Sequence, residues 1–331
     1  MNHFGRLFQI NIFGESHGKS VGILIDGVNP GIPLCEEDFS NDLLRRKSGG
    51  IGTTPRIEDD KIIIESGVFN GFTTGAPILL SFENNNTKSK DYSNLVSQPR
   101  PSHADYTAKL KYNGFNDYRG GGHFSGRLTL GLVSAGVIAK KILKDFKFNT
   151  KLINLNGEED SSKFKNMLMD AVSEKDSLGG IISIRVDNVL KGLGEPYFDS
   201  LESTISHLLF SVGGVKGVEF GIGFDGVNLK GSSFNDVIID HEGHTKTNNN
   251  GGINGGISNG NPIELKVFIK PTPSIGKSQE TYNFKEEKVS ELVINGRHDA
   301  AIILRAMVVC EACVAIALCD SYLINKAYRE D

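Results

Sequence analysis

The sequence lacks the fingerprints of the common nucleotide-binding folds. No Gly-Lys-Ser or Gly-Lys-Thr follows a suitable glycine, so a P-loop is not predicted. No Gly-x-Gly-x-x-Gly opens a strand–helix–strand unit with an acidic residue at the usual distance, which disfavours a Rossmann site. His241 and His244 could share a metal ion, but no third ligand lies at a recognisable spacing. A metal centre is therefore only a minor alternative.

A large excess of charge is also lacking. The chain has 331 residues and a formal net charge of −4, so bulk electrostatics favours neither a nucleic-acid partner nor a membrane partner. Any bound anion must instead be held by locally clustered arginines. The N-terminal region shows no signal-peptide pattern and no long apolar tract free of charge and glycine. We therefore expect a cytoplasmic protein.

Cysteine is scarce, with four residues in the chain. Cys310, Cys313 and Cys319 lie close together in an apolar run with helical character. In such a run a cysteine is more often a small buried hydrophobic residue than half of a redox pair. The sequence therefore predicts buried thiols at these three positions.

Glycine, in contrast, is abundant, with 39 residues against an average share of roughly 7%. This density indicates many tight turns or close backbone approaches, because glycine otherwise costs backbone entropy. Neither an internal repeat nor a convincing linker is visible, so we predict a single domain over residues 1–331. Polar and glycine-rich stretches near 48–56, 84–98 and 241–261 are predicted to be mobile loops.

Hydrophobic periodicity predicts a mixture of strands and helices. Residues 145–162 are interpreted as a polar connection, and Asp199 with Glu202 resembles a capping box. Ala135 and Gly136 would let a second helix approach closely. The predicted strands span 6–13, 21–25, 61–65, 78–82, 179–186, 214–224 and 263–269, and the predicted helices span 36–47, 128–142, 163–175, 200–211 and 300–327.

The stretch from Gln98 to Lys141 carries the strongest candidate site. Proline, glycine and polar residues make its first part a loop, and an apolar helix follows. A helix N-terminus offers unpaired N–H groups and the positive end of a dipole, so the clustered cations beside it predict an anion site. The residues concerned are Arg100, His103, Asp105, Gly120, Gly121, Gly122, His123, Ser125 and Arg127.

Other segments carry candidate residues that also have a structural interpretation. His17 follows a predicted strand, so it is either a titratable group in a cleft or part of a surface turn. Arg45 and Arg46 end a predicted helix, where they either complement its dipole or hold an anion together with the loop that ends in Arg56. Arg305 is either a surface charge or a deep anion ligand.

Ten short motifs, taken in order, resemble the chorismate synthase family over nearly the whole chain. Each motif is weak alone, but the series is highly specific. The motifs are GESHG (14–18), DLLRR (42–46), SGVFNGFTTGAPI (66–78), RPSHADYT (100–107), KYNGFNDYRGGG (111–122), SAGVIAK (134–140), VKGVEFGIGF (215–224), NNGGINGGISNG (249–260), KPTPSI (270–275) and GRHD (296–299).

The resemblance implies both a fold and a reaction. The fold is α+β, a single-domain β-α-β sandwich with a helical layer between β-sheets. The reaction is the 1,4-elimination of phosphate from 5-enolpyruvylshikimate 3-phosphate to give chorismate, in the shikimate pathway. It requires reduced FMN (FMNH2) although there is no net redox change. The resemblance also implies a homotetramer and an association with FAD and NADP.

The resemblance further implies residue roles. His17 matches the proton donor near the departing phosphate, and His103 matches the histidine that keeps the reduced flavin in its working protonation state. Asp299 matches the acid that assists the flavin N5 in taking the substrate's C6 proton. The expected substrate ligands are Arg45, Arg46, Arg127 and Arg297. The expected flavin contacts are His123, Phe124, Ser125, Gly213, Gly214, Gly255, Lys270, Pro271, Thr272, Pro273, Ser274 and Arg297.

The chain departs from the family pattern where RRRPG is common and this chain has RRKSG (45–49), and where GGGRSSARET is common and this chain has GGGHFSGRLT (120–129). His123 and Phe124 stand where an arginine and a serine are common, and Gly52 stands where a loop arginine is common. Two rival classes of protein were weighed. A flavin oxidoreductase with net electron transfer lacks a nucleotide fingerprint here. A non-catalytic anion-binding module is disfavoured because the matches to the three catalytic residues are kept.

Overall fold

The structure is a computed structural model and describes residues 2–53, 59–85, 95–294 and 298–328. In chain order its strands are β1 (His3–Phe4), β2 (Gln9–Gly14), β3 (Ser20–Asp26), β4 (Ile63–Ile64), β5 (Val68–Phe69), β6 (Phe72–Thr73), β7 (Ile78–Glu83), β8 (Lys147–Leu155), β9 (Gly180–Asp187), β10 (Val215–Phe220), β11 (Ile253–Asn254), β12 (Ile257–Ser258), β13 (Ile263–Ile269), β14 (Gln279–Asn283) and β15 (Lys288–Leu292). Its helices are α1 (Ser40–Arg46), α2 (Asp105–Lys111), α3 (Thr129–Ile142), α4 (Ser161–Ser173), α5 (Leu201–Ser211), α6 (Gly231–Phe234) and α7 (Ile303–Tyr328).

The first sheet is antiparallel, with strand order β1-β2-β3-β7-β4. Side chains of a strand alternate between its two faces, and the apolar residues of β3 and β7 follow that alternation. Val21, Ile23 and Ile25 are fully buried in β3, and Leu80 and Phe82 in β7. One face of this sheet therefore contributes to the core.

The second sheet is also antiparallel, with strand order β10-β13-β9-β8. Ile182 and Ile184 of β9, together with Val267 and Ile269 of β13, are fully buried. Because these residues alternate along paired strands, they form one continuous apolar face. This face supplies the other half of the core.

A helical layer made of α3 and α7 lies between the two sheets. Gly131 of α3 packs on Gly22 of β3 in the first sheet, and α7 packs against β8 and β9 of the second. Where the two helices meet, a Cβ on Gly136 would lie 2.7 Å from Cα of Ala312. This contact confirms the prediction that Gly136 lets a second helix approach. The predicted β-α-β sandwich and the α+β class are also confirmed.

Most predicted elements are present within a few residues of their predicted bounds. The strand predicted over 263–269 is observed as β13 with the same bounds. The strand predicted over 6–13 begins later, at the start of β2. The main-chain N–H groups of Leu7 and Phe8 donate to Asp320 at 2.7 and 2.8 Å. Because this carboxylate takes those donors, they are not available to a β ladder.

Other interpretations of the sequence were wrong. Residues 145–162 are not a connection, since β8 occupies most of the first half and forms an edge of the second sheet. The polar face of that strand is exposed, which explains its low hydrophobicity. The cap of α5 is not Asp199. The side chain of Ser200 accepts from the N–H of Ser203, while Asp199 pairs with Arg6. Helix α2 and the β14–β15 hairpin were not predicted.

Helix α7 is long and apolar enough to cross a membrane by length and composition, but most of it is buried inside the protein. Cys310, Cys313 and Cys319 lie in its buried part as free thiols, which confirms the prediction for them. Burial raises the pKa of Cys310 to about 12, because the thiolate is disfavoured in an apolar surrounding.

Three residues of the glycine-rich segment 241–261 donate hydrogen bonds to the carboxylate of Asp236. Asp236 accepts from the main-chain N–H groups of Asn249 and Asn250 at 2.8 and 2.9 Å, and from the hydroxyl of Thr247 at 2.7 Å. These bonds restrain the segment, and its mobility stays a prediction. The other two predicted mobile loops lie partly outside the described residues.

Candidate active site

A cleft of about 790 Å³ opens where α3 and α7 begin. Ile12 of β2 contributes to it from the first sheet, and Val215 of β10 contributes from the second. Leu132 of α3 and Ile302, just before α7, line it between the sheets. Because the N-terminus of a helix carries unpaired N–H groups and a positive dipole end, two helices that start here favour negatively charged ligands.

The run of glycines packs against both candidate histidines. Gly120 and Gly121 have φ angles of +59° and +84°, a left-handed backbone that glycine adopts at little cost. His17 lies directly against Gly120 and leaves no room for a Cβ there. The ring of His103 lies beside Gly121, with Cε1 3.7 Å from the position of a Cβ. The loop therefore brings together two histidines that are far apart in the sequence.

The turn that carries His17 is tied to an arginine by one side chain, Asn84. The amide nitrogen of Asn84 donates to the carbonyls of Glu15 and Gly18 at 3.0 and 2.9 Å. Its amide oxygen accepts from Nε of Arg127. His17 itself is buried beside the cleft rather than on its surface. The position of this histidine is thus coupled to the position of a cationic group.

His103 belongs to a buried network with Arg100, Asp105 and Ser274. Its Nδ1 lies 2.7 Å from Oδ1 of Asp105. Arg100 donates to the same carboxylate from Nε and Nη2, both at 2.7 Å, and from Nη1 to Oγ of Ser274 at 2.9 Å. Burial alone would raise the pKa of Asp105, but the bonds from Arg100 and His103 outweigh it and hold the pKa well below its ordinary range. Asp105 is therefore ionised at neutral pH.

Arg46 and Arg127 are both buried at the cleft and share the carboxylate of Asp60. Nη1 of Arg127 lies 2.8 Å from Oδ1, and Nη1 of Arg46 lies 3.4 Å from Oδ2. Arg46 also donates to Oγ1 of Thr129 and to the carbonyl of Gly126, both at 2.9 Å. A guanidinium group presents its donors in a rigid planar arrangement that matches phosphate and carboxylate oxygens, so this pair of arginines suits the binding of an anion.

Arg305 lines the cleft and connects two predicted site residues. Its Nη1 donates to Oδ2 of Asp299 at 3.1 Å, and its Nε donates to the main-chain carbonyl of Arg46 at 3.0 Å. The sequence left open whether Arg305 is a surface charge or a deep residue, and the structure places it in the cleft. His298 lies beside Asp299 on the cleft lining. Burial lowers the pKa of His298, which favours its neutral form.

Two of the residues that depart from the family pattern, His123 and Phe124, also line the cleft. Nδ1 of His123 lies 2.7 Å from the carbonyl of Gly14, which only accepts, so this nitrogen donates. Its Nε2 lies 3.0 Å from Oδ1 of Asn2. His123 thus ties the glycine loop to the end of β2 and to the N-terminal residues. The ring of Phe124 is exposed, and the hydroxyl of Ser125 caps the turn that precedes α3.

The segment from Lys270 to Ser274 contributes the charged amino group of Lys270 and the buried hydroxyl of Thr272 to the cleft. Nζ of Lys270 donates to the carbonyl of Ser102 at 2.7 Å. Burial, and then the charge of Lys216, lower the pKa of Lys270. Oγ1 of Thr272 is buried and has no hydrogen-bond partner among the described residues. A buried hydroxyl without a partner is costly, so this atom is suited to a ligand that enters the cleft.

Most predicted site residues line this single cleft. His17 lies next to it, while Pro271 and Gly255 do not line it, and Gly255 stands on the β11–β12 turn. Arg297 and Arg56 lie outside the described residues. The predicted residues on the lining are Arg46, His103, His123, Phe124, Ser125, Arg127, Gly213, Gly214, Lys270, Thr272, Pro273, Ser274 and Asp299.

Arg45 is not brought to the cleft in this chain. It bonds Asp42 and Glu311 at 2.9 and 2.7 Å, and Lys140 bonds the same two carboxylates. Successive residues on a helix point about 100° apart, so Arg45 faces α7 while Arg46 faces the cleft. Burial alone would raise the pKa of Glu311, but Arg45 and Lys140 outweigh it and lower the pKa to about 2.

Four residues of the site received no individual catalytic or ligand role from sequence reasoning. Arg100 and Asp105 lay in the predicted site stretch, and the His-x-Asp spacing was the signal that could have identified the pair with His103. Asp60 and Asn84 carried no such signal, because they lie in polar segments whose contacts are all distant in sequence. Their roles follow only from the three-dimensional structure.

The cleft and the fold together define a class of protein: an α+β sandwich whose cleft is lined by arginine, lysine and histidine and therefore suits a negatively charged ligand. The sequence model of the family described as "Chorismate synthase" matches residues 8–323. The chorismate synthase of Chitinophaga pinensis is 54% identical over 327 residues, with 98% of each chain covered. That of Pyrococcus abyssi is 42% identical over 350 residues, again with 98% of each chain covered.

A solved structure leads to the same conclusion. The "Crystal Structure of Chorismate Synthase" aligns with a TM-score of 0.74 at 26% identity, covering 97% of this chain and 93% of the other. The chain belongs to the chorismate synthase family. The predicted family is confirmed, as is the predicted enzyme class, a carbon–oxygen lyase acting on phosphates.

Proposed function

We propose that this cleft eliminates phosphate from 5-enolpyruvylshikimate 3-phosphate to give chorismate, with reduced FMN bound next to the substrate. Membership of the chorismate synthase family supports the reaction. The observation that best supports the location is the cationic wall of Arg46, Arg127 and Arg305 beside the two histidines of the glycine loop. A substrate with one phosphate and two carboxylates needs such a wall, because the protein as a whole has a net charge of −4.

The substrate anions are assigned to the buried guanidinium groups. Arg46 and Arg127 are held by several hydrogen bonds each, so their orientation is set before a ligand arrives. An arginine offers several donors in a rigid planar arrangement, which matches phosphate and carboxylate oxygens. Because the groups are oriented in advance, they stabilise the charge of the departing phosphate without reorganisation.

Three side chains are assigned to proton movements. His17 donates a proton to the leaving phosphate, and His103 accepts and returns a proton at the ring nitrogen that faces the cleft. The carboxylate of Asp299, which Arg305 keeps in place, receives the proton that the substrate loses. A positioned general acid or base contributes about 10²–10⁴-fold to a rate. Arg45 and Gly255 are left out of these assignments because the described chain does not bring them to the cleft.

The residues present fit the flavin. The buried hydroxyl of Thr272 lacks a partner, and Lys270 and Lys216 place positive charge at the cleft. Gly213 and Gly214 present backbone without side chains, so a flat ring can approach closely. When bound, reduced FMN supplies the transient electron density that eases the loss of phosphate.

The assembly is proposed to be a cytoplasmic homotetramer without nucleic-acid or membrane partners. Support comes from the segment after β10, where large apolar side chains are exposed. Phe224 and Val227 are 81% and 86% exposed, and Ile238 is 68% exposed. Such a cluster on a folded chain is typical of a protein–protein interface. Sedimentation velocity of the purified enzyme tests the tetramer.

The decisive experiment measures phosphate release from 5-enolpyruvylshikimate 3-phosphate without oxygen, with and without dithionite-reduced FMN. We expect release only when the reduced flavin is present. His17→Ala and His103→Ala should each lower turnover by about 10²–10⁴-fold. His244→Ala is the matched control, because that histidine pairs with Asp240 at the surface, away from the cleft. Near-normal turnover in either cleft variant would remove the role assigned to that histidine.

A further inference from the structure

We propose that Asp105 is the positioning residue of His103: it holds the imidazole in the tautomer that carries a proton on Nδ1 and leaves Nε2 facing the cleft. The inference rests on the proposed function, because it is there that His103 is assigned a proton. It adds a residue that contacts neither substrate nor flavin and that acts only through the histidine.

The first argument concerns the donors and acceptors around Nδ1. This nitrogen lies 2.7 Å from Oδ1 of Asp105 and 3.1 Å from Nη2 of Arg100. A carboxylate only accepts and a guanidinium only donates, so the two contacts make opposite demands on one ring atom. The shorter contact is to the carboxylate, and a lone pair facing an ionised oxygen at that distance is repulsive. Nδ1 therefore carries the proton and donates it to Asp105.

The second argument concerns how firmly Asp105 is held. Its carboxylate accepts from Nε, Nη2 and the main-chain N–H of Arg100, at 2.7, 2.7 and 3.1 Å. The far side of Arg100 is held by Ser274. Both Asp105 and Arg100 are buried. A charge-assisted pair with two parallel hydrogen bonds is geometrically specific, so the carboxylate cannot turn away from the imidazole.

The third argument concerns the opposite ring nitrogen. Nε2 of His103 makes no hydrogen bond to any residue in the described part of the chain, and His103 lines the cleft. With Nδ1 occupied, Nε2 is the atom at which a ligand proton can be accepted or returned. In the part of the chain that the structure describes, Lys270, which bonds Ser102, and His298 are further charged or titratable groups near this network. Neither occupies the position of Asp105 opposite Nδ1.

Replacing Asp105 with asparagine should reverse the tautomer. Arg100 presents two donors at Oδ2, namely Nε and its main-chain N–H, but one at Oδ1. The amide oxygen of asparagine is therefore drawn to the Oδ2 side, and its NH2 group faces Nδ1 of His103. That group donates, so Nδ1 must accept and the proton moves to Nε2. An equivalent replacement in serine proteases lowers turnover about 10⁴-fold through the wrong tautomer.

The test reads the tautomer directly, by 15N NMR of the full-length enzyme labelled at histidine. The His103 signals are assigned by their loss in His103→Gln. In the wild type at alkaline pH we expect a protonated Nδ1 and an unprotonated Nε2. Finding the proton on Nε2 in the wild type overturns the proposal, and this measurement needs no other variant to fold.

Asp105→Asn should then show the proton on Nε2, and turnover lower by about 10²–10⁴-fold with KM changed less than about threefold. The control is Asp187→Asn, which breaks a surface pair with Arg185. It should change neither the tautomer of His103 nor the turnover. A retained Nδ1–H tautomer in Asp105→Asn overturns the inference. A reversed tautomer with normal turnover supports the positioning by Asp105 but removes the role of His103 from the proposed function, so the two failures are distinguishable.

Discussion

Gly120→Ala is the sharpest test of how the glycine loop holds His17. A Cβ built on Gly120 would lie 2.3 Å from Cε1 of His17, whereas ordinary contact begins near 3.4 Å. The imidazole must therefore move by about 1 Å, or the loop must move by the same amount. A displacement of this size near the reacting atoms can cost about 10²-fold in rate. We expect turnover to fall by that factor.

The adjacent glycine supplies a matched control. Gly121 also has a positive φ, so an alanine at either position has the same left-handed penalty of about 1–2 kcal/mol. A Cβ on Gly121 would meet its nearest atom, in His103, only at 3.7 Å. Gly121→Ala should therefore lose stability through backbone strain alone and keep turnover within a few-fold of the wild type.

The assay compares phosphate release and thermal unfolding in the two variants. The reasoning predicts a loss of stability in both variants, larger in Gly120→Ala because of the overlap with His17, and a large loss of turnover in Gly120→Ala alone. Equal turnover in Gly120→Ala and Gly121→Ala would refute it, because the two positions differ in the contact with His17 and hardly in backbone strain. A loss of turnover confined to Gly121→Ala would refute it as well.

Three further predictions concern the core and the anion site. Gly136→Ala should lower the free energy of unfolding by about 1–3 kcal/mol, because the new methyl group forces α3 away from Ala312 of α7; urea denaturation measures the loss. Glu311→Gln should cost about 3 kcal/mol at neutral pH, because the pKa of Glu311 is lowered to about 2 in the folded state. That cost should shrink as pH falls from about 4.5 towards 2, since a lowered pKa stabilises only while the carboxylate is ionised; denaturation at stepped pH measures it. Arg127→Lys should raise the substrate KM roughly tenfold or more in steady-state kinetics, because an ammonium cannot reproduce the guanidinium contacts.

Two of these predictions have a control variant in the same chain. Gly231→Ala adds a methyl group where nothing lies within 4 Å, so it should leave stability nearly unchanged. Glu280→Gln removes an exposed carboxylate of β14 and should show no such dependence on pH. A Glu311→Gln cost that stays constant down to pH 2 would contradict the ion network. An unchanged KM in Arg127→Lys would contradict the anion site.

Whether a strand could be predicted from the sequence depended on how that strand is buried. Strand β13 was predicted to the residue, because its inward positions are all large and apolar and because Pro262 and Lys270 flank it. Strand β8 was missed because an edge strand pairs on one side only and exposes polar side chains. The start of β2 was misplaced because a carboxylate distant in sequence, Asp320, takes the hydrogen bonds that a ladder would use. Such contacts leave no trace in local periodicity.

The site was predictable where motifs are local and not where the fold creates the contact. His103 and Asp105 stand two residues apart, so their pairing was within reach of the sequence. The meeting of His17 with Gly120 depends on how the first sheet meets the loop before α3, which no spacing reveals. Arg45 and Arg46 illustrate the limit, because neighbouring residues of one type face different surroundings on a helix. Only the packing of α1 decides which of them reaches the cleft.

Chemical labelling of the thiols can report whether the enzyme is folded. In the native chain Cys35 is exposed, while Cys310, Cys313 and Cys319 are closed inside α7 between the two sheets. A maleimide added to intact enzyme should therefore attach once, and to an opened chain four times. Because the three inner sulfurs lie in the middle layer of the sandwich, extra labels record separation of the layers and not fraying at the surface. Mass spectrometry can thus count the molecules whose layers have separated, without an engineered probe.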